Sequence, residues 1–324
     1  MPHIKKIVTI GGGTGTFTVL SGLKKYPLEL TAIISMADDG GSTGRLRDEF
    51  GVLPPGDLRQ GLVALSEDGS TMRKLFNHRY EKGDLEGHSF GNLFISTLEQ
   101  VTGSLDKALD VAGEILNIRG RVIPVTLTKV RLITELKNGK MLEGEEMLGN
   151  YQLVSRFGIK RIYLKPKAKP NPKALQAIKE SDIIVIGPGD LYTTMIPNLL
   201  VVGEAIARSK AKKIFVANLM NKHGHTDDFK ISDYIETLER VMGKKNVFDV
   251  VIYNTKQPSK TLIKKYADEG EPVMYKVNGK KPRYKMLGAP LLAAGAVKLS
   301  KADKAQHSLI RHDPEKLAKA ILKA

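Results

Sequence analysis

Cysteine is absent from all 324 residues. That excludes a disulfide framework, thiolate metal sites and a cysteine nucleophile, and it fits a reducing compartment. No run approaches the roughly 18 apolar residues of a membrane helix. The opening MPHIKKIVTIGGG leads directly into a buried-strand pattern without a long apolar stretch before a cleavage site. The expectation is therefore a protein without signal peptide or membrane insertion, cytoplasmic in location. Internal repeats and low-complexity linkers are also lacking. Tryptophan is absent, and the 51 basic residues that outweigh 35 acidic ones fall in short scattered pieces such as Lys24-Lys25, Lys212-Lys213 and Lys264-Lys265. Affinity for nucleic acid through phosphates needs a contiguous basic stripe, so the net charge of +16 reads as a solvated basic surface, and no nucleic-acid partner is expected.

What the chain does have is a series of glycine-and-acid loops, most of them placed where strands end: GGGTGT from Gly11, ADDGGSTGRLR from Ala37, PPGDLRQ from Pro54, HSFGNL from His88 and GPGDLYTTMIPN from Gly187. Glycine lets backbone amides approach an oxygen-rich ligand with no Cβ in the way, and the intervening Asp, Arg, Asn and Ser supply charge and hydrogen bonds. Between the loops, apolar runs alternate with amphipathic segments, the pattern of parallel strands joined by crossover helices. Strands are expected at 4–10, 30–36, 182–186, 213–218, 248–254 and 273–277. Helices are expected after Gly15 and at 72–79, 89–100, 105–118, 172–181, 199–208, 233–242, 260–266 and 315–322, with Asp57 capping the run that begins at Leu58 and Asp313-Pro314 opening the last helix. The stretch 122–164 changes character. Its short apolar runs around Asn138-Gly139 predict an antiparallel hairpin subdomain within one α/β domain spanning 1–324, whose 41% hydrophobic content is ample for a large core.

The first loop approaches G-x-G-x-x-G but places Thr16 where the third glycine belongs, and it lacks the Lys-Ser/Thr pair of a P-loop. Amides at the start of the following helix, around Gly12, Gly13, Thr14 and Gly15, suit a phosphate. Asp38-Asp39 at the end of the second strand offers either a ribose-hydroxyl acceptor or one to two oxygens for Mg²⁺ beside a diphosphate. Arg45, Arg47 and Arg59 add forked donors for phosphate or carboxylate. His88 and Asn92 precede an apolar helix. Gly187 and Gly189 repeat the strand-to-loop logic of the first motif, and Asn218 and Tyr253-Asn254 end strands at the edge where open parallel sheets bind ligands. Thr193-Thr194 would permit phosphorylation. Catalytic candidates are Asp38, Asp39 and His88. His307 and His312 receive no role.

Taken together these motifs resemble the YvcK/CofD-like family, and within it the YvcK, or gluconeogenesis factor, branch. The likeness runs from GGGTG through ADDGGSTGRLR, PPGDLRQGLVALSE, GHSFGNLF, VIPVT, VIGPGDLYTTMIPNLLV and NLM to LIRHDPEKLA. It implies a Rossmann-like, mostly parallel sheet with helices on both faces and a ligand cleft at the strand C-termini. It also implies a non-enzymatic protein that binds UDP-sugars such as UDP-N-acetylglucosamine, supports cell shape and peptidoglycan synthesis during gluconeogenic growth through a cell-wall synthesis partner, and forms a homo-oligomer. The alternative follows the enzymatic cousin, the 2-phospho-L-lactate transferase: Mg²⁺-dependent movement of a phospholactyl group from a nucleoside diphosphate donor. Carried over by motif, the ligand residues are Gly12, Gly13, Thr14, Asp38, Asp39, Asn92, Gly187, Gly189, Asn218 and Arg311; Gly15, Arg45 and Asp57 join them from the loops themselves. The chain departs from the branch at one loop, reading NLMNKHGHTDD in place of NLMTQPGETD, so Lys222-His223 and His225 stand where neutral and acidic side chains are expected.

Overall fold

The computed structural model describes residues 4–67, 71–148, 151–273, 275, 282–294 and 310–324. The chain opens β1 (Lys6–Gly11), α1 (Gly13–Leu23), β2 (Glu29–Ile34), α2 (Gly41–Phe50), α3 (Gly56–Leu65), α4 (Thr71–Asn77), α5 (Phe90–Thr102), α6 (Leu105–Ile115) and β3 (Arg121–Pro124). An insertion follows: β4 (Arg131–Leu136), β5 (Met141–Glu143), α7 (Glu145–Leu148), α8 (Tyr151–Phe157) and β6 (Ile159–Lys165). The α/β rhythm resumes with α9 (Pro172–Glu180), β7 (Ile183–Ile186), a π turn Leu191–Met195, α10 (Ile196–Arg208), β8 (Lys212–Val216), α11 (Ile231–Met242), β9 (Val250–Asn254), α12 (Lys260–Tyr266), β10 (Lys285–Ala289) and α13 (Pro314–Lys323).

Seven strands form one parallel sheet in the order β10-β9-β8-β7-β1-β2-β3, and β5-β4-β6 form a small antiparallel sheet. β1 is central. It pairs in register with β2 on one side (Ile10 with Ile33) and with β7 on the other (Ile10 with Ile186). After β1 the chain steps towards β3, and after β7 it steps the opposite way, so right-handed crossovers place the helices of the two halves on opposite faces. Covered on both faces, β1, β2 and β7 are almost wholly buried, which is why they read as continuous apolar runs and not as alternation. α1 packs against α3 and α13. Leu20, Leu23, Leu317 and Ile321 are all but inaccessible there, each worth about 1.5–3 kcal/mol relative to an exposed position.

Local chemistry sets several helix starts. Ser89 Oγ accepts the Asn92 amide at 3.2 Å, Asn171 Oδ1 accepts that of Lys173 at 3.0 Å with Pro172 in the first turn, and Asp313 Oδ1 accepts Glu315 and Lys316, both at 3.0 Å, as helix caps do. Elsewhere the sequence expectation needs correcting. The segment from Val122, read as antiparallel, begins in β3, which pairs parallel with β2 at the sheet edge; the antiparallel unit starts at β4. Asp57 is not the cap of its helix: α3 begins at Gly56 with Pro55 ahead of it, which leaves the Asp57 side chain to turn inward. α2 lies within a motif read as loop, and β10 was not anticipated because its half-exposed KMLGA pattern carries little periodic signal. Of the strand expected at 273–277, Val273 and Tyr275 are not in a strand; 274, 276 and 277 lie outside the described residues, as do the first three residues and His307.

Candidate functional site

The reversal of strand order opens a crevice between the ends of β1 and β7, the position where ligands bind in open parallel sheets. Gly12–Gly15 form one wall and the Gly187–Asp190 loop the other. Their approach is close enough to require glycine: a Cβ on Gly15 would lie 1.9 Å from the Pro188 carbonyl oxygen. Asn218, at the end of β8, pins the second wall by a reciprocal pair, its Nδ2 donating to Gly189 O at 2.8 Å and its Oδ1 accepting the Gly189 N–H at 3.3 Å.

Carboxyl groups from four separate segments lie near enough here for Glu145 to feel the charges of Asp38, Asp57 and Asp190. Asp38 follows β2, Asp57 lies in the first turn of α3, Glu145 opens α7 of the insertion, and Asp190 caps the π turn after β7. All four are half-buried, enclosed by protein yet reached from the crevice. Asp38 Oδ1 accepts the Gly40 amide at 3.0 Å. Burial raises Asp38, and the charge of Asp39 adds to the rise against the Gly40 and Thr43 hydrogen bonds and Arg47. Burial and the Asp38 charge push Asp57 up to about 7, against a hydrogen bond from the Gly13 amide and the charge of Arg59. Glu145 is raised well above the ordinary glutamate range by burial and by the charges of Asp38 and Asp57, with Thr193 hydrogen-bonded to it. Asp38 thus adds to the rise of both Asp57 and Glu145.

Asp190 behaves differently. Burial would raise it, but Lys222, the His225 ring and the Thr193 amide outweigh burial and hold it well below the ordinary aspartate range. Its Oδ1 accepts the Tyr192 and Thr193 amides at 3.0 and 2.9 Å, Lys222 Nζ donates to Oδ2 at 3.2 Å, and His225 Nδ1 lies 3.6 Å from the same oxygen. The loop that departs from the branch pattern thus supplies both partners of Asp190. His225 also reaches the insertion, its Nε2 donating to Leu148 O at 2.8 Å.

The remaining sequence candidates divide. Asp38 and Asp39 are neighbours in sequence, but the fold turns Asp39 towards the insertion: its Oδ1 accepts the Glu145 amide at 2.9 Å, Arg131 lies 3.8 Å away, and its side chain is 7% exposed. The carboxylate that joins Asp38 is Asp57. His88 is buried against Ser42, Nδ1 to Oγ 3.1 Å, and burial with the charges of Arg45 and Arg79 lowers its pKa. Asn92 is buried in the same network, donating to Ser42 Oγ at 3.2 Å and accepting from Arg59 Nε at 3.0 Å. Arg45 is exposed and donates to Glu86 O at 2.9 Å; Arg47 bonds the carbonyls of Asp38 and Val130 at 2.7 and 2.6 Å. These arginines staple loops to one another. Arg311 is half-buried before α13, next to Ile310, which packs with Leu219 and Met220 of the loop after β8.

Asn218 also lines a shallow open pocket with Leu219, Tyr253, Asn254, Pro272 and Tyr275, where the two tyrosine rings stack at 4.4 Å. Glu145 and Asp190 are the site carboxyl groups absent from the sequence candidates, and Thr193 was read only as a phosphorylation position. Nothing local marks Glu145, whose tie to Asp39 spans 106 positions.

Known proteins share this arrangement of sheet, loops and insertion. The family described as 2-phospho-L-lactate transferase CofD matches residues 7–292, and the chain belongs to that family. Among relatives, it is 36% identical over 322 residues to the "Gluconeogenesis factor" of Bacillus subtilis (strain 168), covering 98% of this chain and 97% of that one. It is 39% identical over 324 residues to the "Gluconeogenesis factor" of Halalkalibacterium halodurans, covering 98% and 96%. A crystal structure of a UPF0052-family protein from Bacillus halodurans superposes with a TM-score of 0.86 at 35% identity, covering 99% of this chain and all of that one. These similarities place the chain in the gluconeogenesis factor, or YvcK, branch. No helix among the described residues is long and apolar enough to cross a membrane.

Proposed function

We propose that this protein binds a nucleoside diphosphate sugar of the UDP-N-acetylglucosamine type, with Mg²⁺, and reports it to a cell-wall synthesis partner during gluconeogenic growth. The observation that carries the reading is the switch-point crevice with glycine loops on both walls. A diphosphate on the crevice side of the two glycine loops, at the Gly12–Gly13 amides, would leave the nucleoside free to run towards the Tyr253 pocket, two strand spacings or about 10 Å from β7. The names of the relatives support the gluconeogenic part of the proposal.

For Mg²⁺ the donor set fits in part. No three of His, Cys, Asp and Glu among the described residues converge as an all-protein metal site requires, but Mg²⁺ is commonly held by one or two carboxylates with phosphate oxygens and water. Asp38 and Asp57 meet that need. Their raised affinity for protons marks unbalanced negative charge, and a bound cation would supply charge neutralisation at the diphosphate. Asp39, whose Oδ1 accepts the Glu145 amide of the insertion, is a poorer ligand than Asp38.

A second reading is group transfer from a nucleoside diphosphate donor. It is favoured by Asp57, whose pKa of about 7 suits a general base, and by the description of the matching family. Titration calorimetry with UDP-N-acetylglucosamine, GDP and NAD, with and without Mg²⁺, followed by product analysis, decides between them. Tight UDP-sugar binding without conversion is the expected result; turnover of a nucleoside diphosphate donor would move the protein to the transferase side, and no binding of any nucleotide would sink both readings.

A further inference from the structure

The Gly12–Gly15 loop is shaped to cradle an anion, yet one of its amides is already in use. The Gly13 N–H donates to the Asp57 carboxyl, and Asp57 Oδ2 comes so near the loop that a Cβ on Gly12 would lie 2.2 Å from it. The bare Gly12 backbone is what admits the carboxylate. Asp57 is also held firmly from behind. It sits in the first turn of α3 between the buried Gly56 and Leu58, and a Cβ on Gly56 would meet Thr43 Oγ1 at 2.4 Å and Asp38 Oδ2 at 2.5 Å. The carboxylate therefore stands where an oxygen of an incoming phosphate would stand, with a second carboxylate immediately beside it.

We propose that Asp57 is a built-in occupant of the anion cradle, and that a divalent cation switches this loop from holding its own carboxylate to holding the diphosphate of a ligand. The inference rests on the nucleotide reading given above and adds a rule of admission to it. A phosphate approaching the Gly13 amide without a cation meets the Asp57 carboxyl, with Asp38 close by, in a half-buried crevice where screening by water is weak, and the repulsion grows as these carboxyls lose their protons. A cation between Asp38 and Asp57 on one side and the phosphates on the other turns both contacts attractive. Cation-free nucleotides and simple anions are refused, and the metal–nucleotide complex is admitted. The glycines that the sequence presents as a phosphate loop thus serve two anions in turn.

The test is calorimetric titration of UDP-N-acetylglucosamine and of UDP into the full chain and its Asp57→Asn variant, each in EDTA and in excess Mg²⁺. The amide replacement keeps the shape and removes the charge. Wild-type protein is expected to bind at least tenfold more tightly with Mg²⁺ than with EDTA. Asp57→Asn is expected to bind at least tenfold more tightly than wild type in EDTA and to gain little from the metal. Equal wild-type affinity in the two buffers, or an Asp57→Asn affinity in EDTA no better than wild type, would overturn the proposal.

A second readout needs neither the variant nor the ligand. The Gly13 amide resonance of the wild-type protein should move when Mg²⁺ alone is added and stay put with the same concentration of K⁺; an unmoved resonance also overturns the proposal. If wild-type protein binds no nucleotide in either buffer, the nucleotide reading fails, and the Gly13 response still decides whether the cation draws Asp57 from the loop.

Discussion

The two walls of the crevice treat carboxyl groups in opposite ways. On the β7 side Asp190 accepts from two backbone amides and from the Lys222 ammonium at 3.2 Å, with the His225 ring 3.6 Å away. On the β1 and β2 side burial raises Asp38, Asp57 and Glu145, the Asp38 charge adds to the rise of the other two, and Arg47 beside Asp38 and Arg59 beside Asp57 oppose it without cancelling it. Compensated charge of the first kind holds a structure together, because removing one partner leaves the others buried without it. Under-compensated charge of the second kind costs stability in the empty protein and is the mark of a site that waits for a cation or a proton. Balance on one wall and imbalance on the other separate scaffold from function within a single cleft.

The contact that keeps the walls in register is the most sensitive point. Gly15→Ala drives a Cβ to within 1.9 Å of the Pro188 carbonyl, backbone against backbone, with no flexible side chain to yield. A loss of about 3 kcal/mol and of nucleotide binding is expected in chemical denaturation and calorimetry. Full affinity in this variant would show that the walls need not meet.

Next in size is the compensated wall itself. Asp190→Ala removes the cap of the π turn and strands Lys222 and His225, for an expected destabilisation of about 2–3 kcal/mol, reduced from the full cost of a buried pair because Lys222 is partly exposed. An effect under about 0.5 kcal/mol, the size of an ordinary surface change, would erase the contrast between the walls.

The pH response sharpens the comparison by sign. Asp57 titrates near 7 in the folded protein against an ordinary 3.8, so the folded state binds the proton more tightly. Its contribution to stability is complete below pH 3.8 and is lost as pH rises through about 7. Metal-free protein should therefore melt at a lower temperature at pH 8 than at pH 5.5, and Asp57→Asn should flatten the profile. Asp190 is shifted down, so its contribution is present above the ordinary aspartate range and is lost only as pH falls below that range. A midpoint that climbs from pH 5.5 to pH 8 would contradict the assignment of the under-compensated wall.

The smallest effect lies where the insertion is tied down. His225→Ala loses the bond to Leu148 O, worth about 1 kcal/mol, and amide exchange at residues 145–148 should quicken while that of β1 and β7 stays unchanged. Equal acceleration throughout would mean that the insertion and the sheet open as one unit.

Much of this architecture is legible from local pattern. The apolar runs that became β1, β2, β7, β8 and β9 are written into neighbouring residues, and so are the glycines at Gly12–Gly15 and Gly187–Gly189, because burial on both faces and close backbone approach each demand particular residue types at particular positions. β10 and α2 escaped because an exposed edge strand and a helix opening on Gly41-Ser42-Thr43 lack periodic signal. In the site, sequence adjacency suggested Asp38 with Asp39, whereas the fold joins Asp38 to Asp57 and sends Asp39 to the insertion.

The sequence by itself determined an α/β protein with glycine loops at strand ends, since those properties depend on residues a few positions apart. Only the tertiary structure decided which carboxyl groups meet, which of them Lys222 neutralises beside His225, and that Asp57 lies against Gly12 and Gly13. Those outcomes depend on distances between segments tens to more than a hundred residues apart, and electrostatic coupling follows distance in space and not order along the chain.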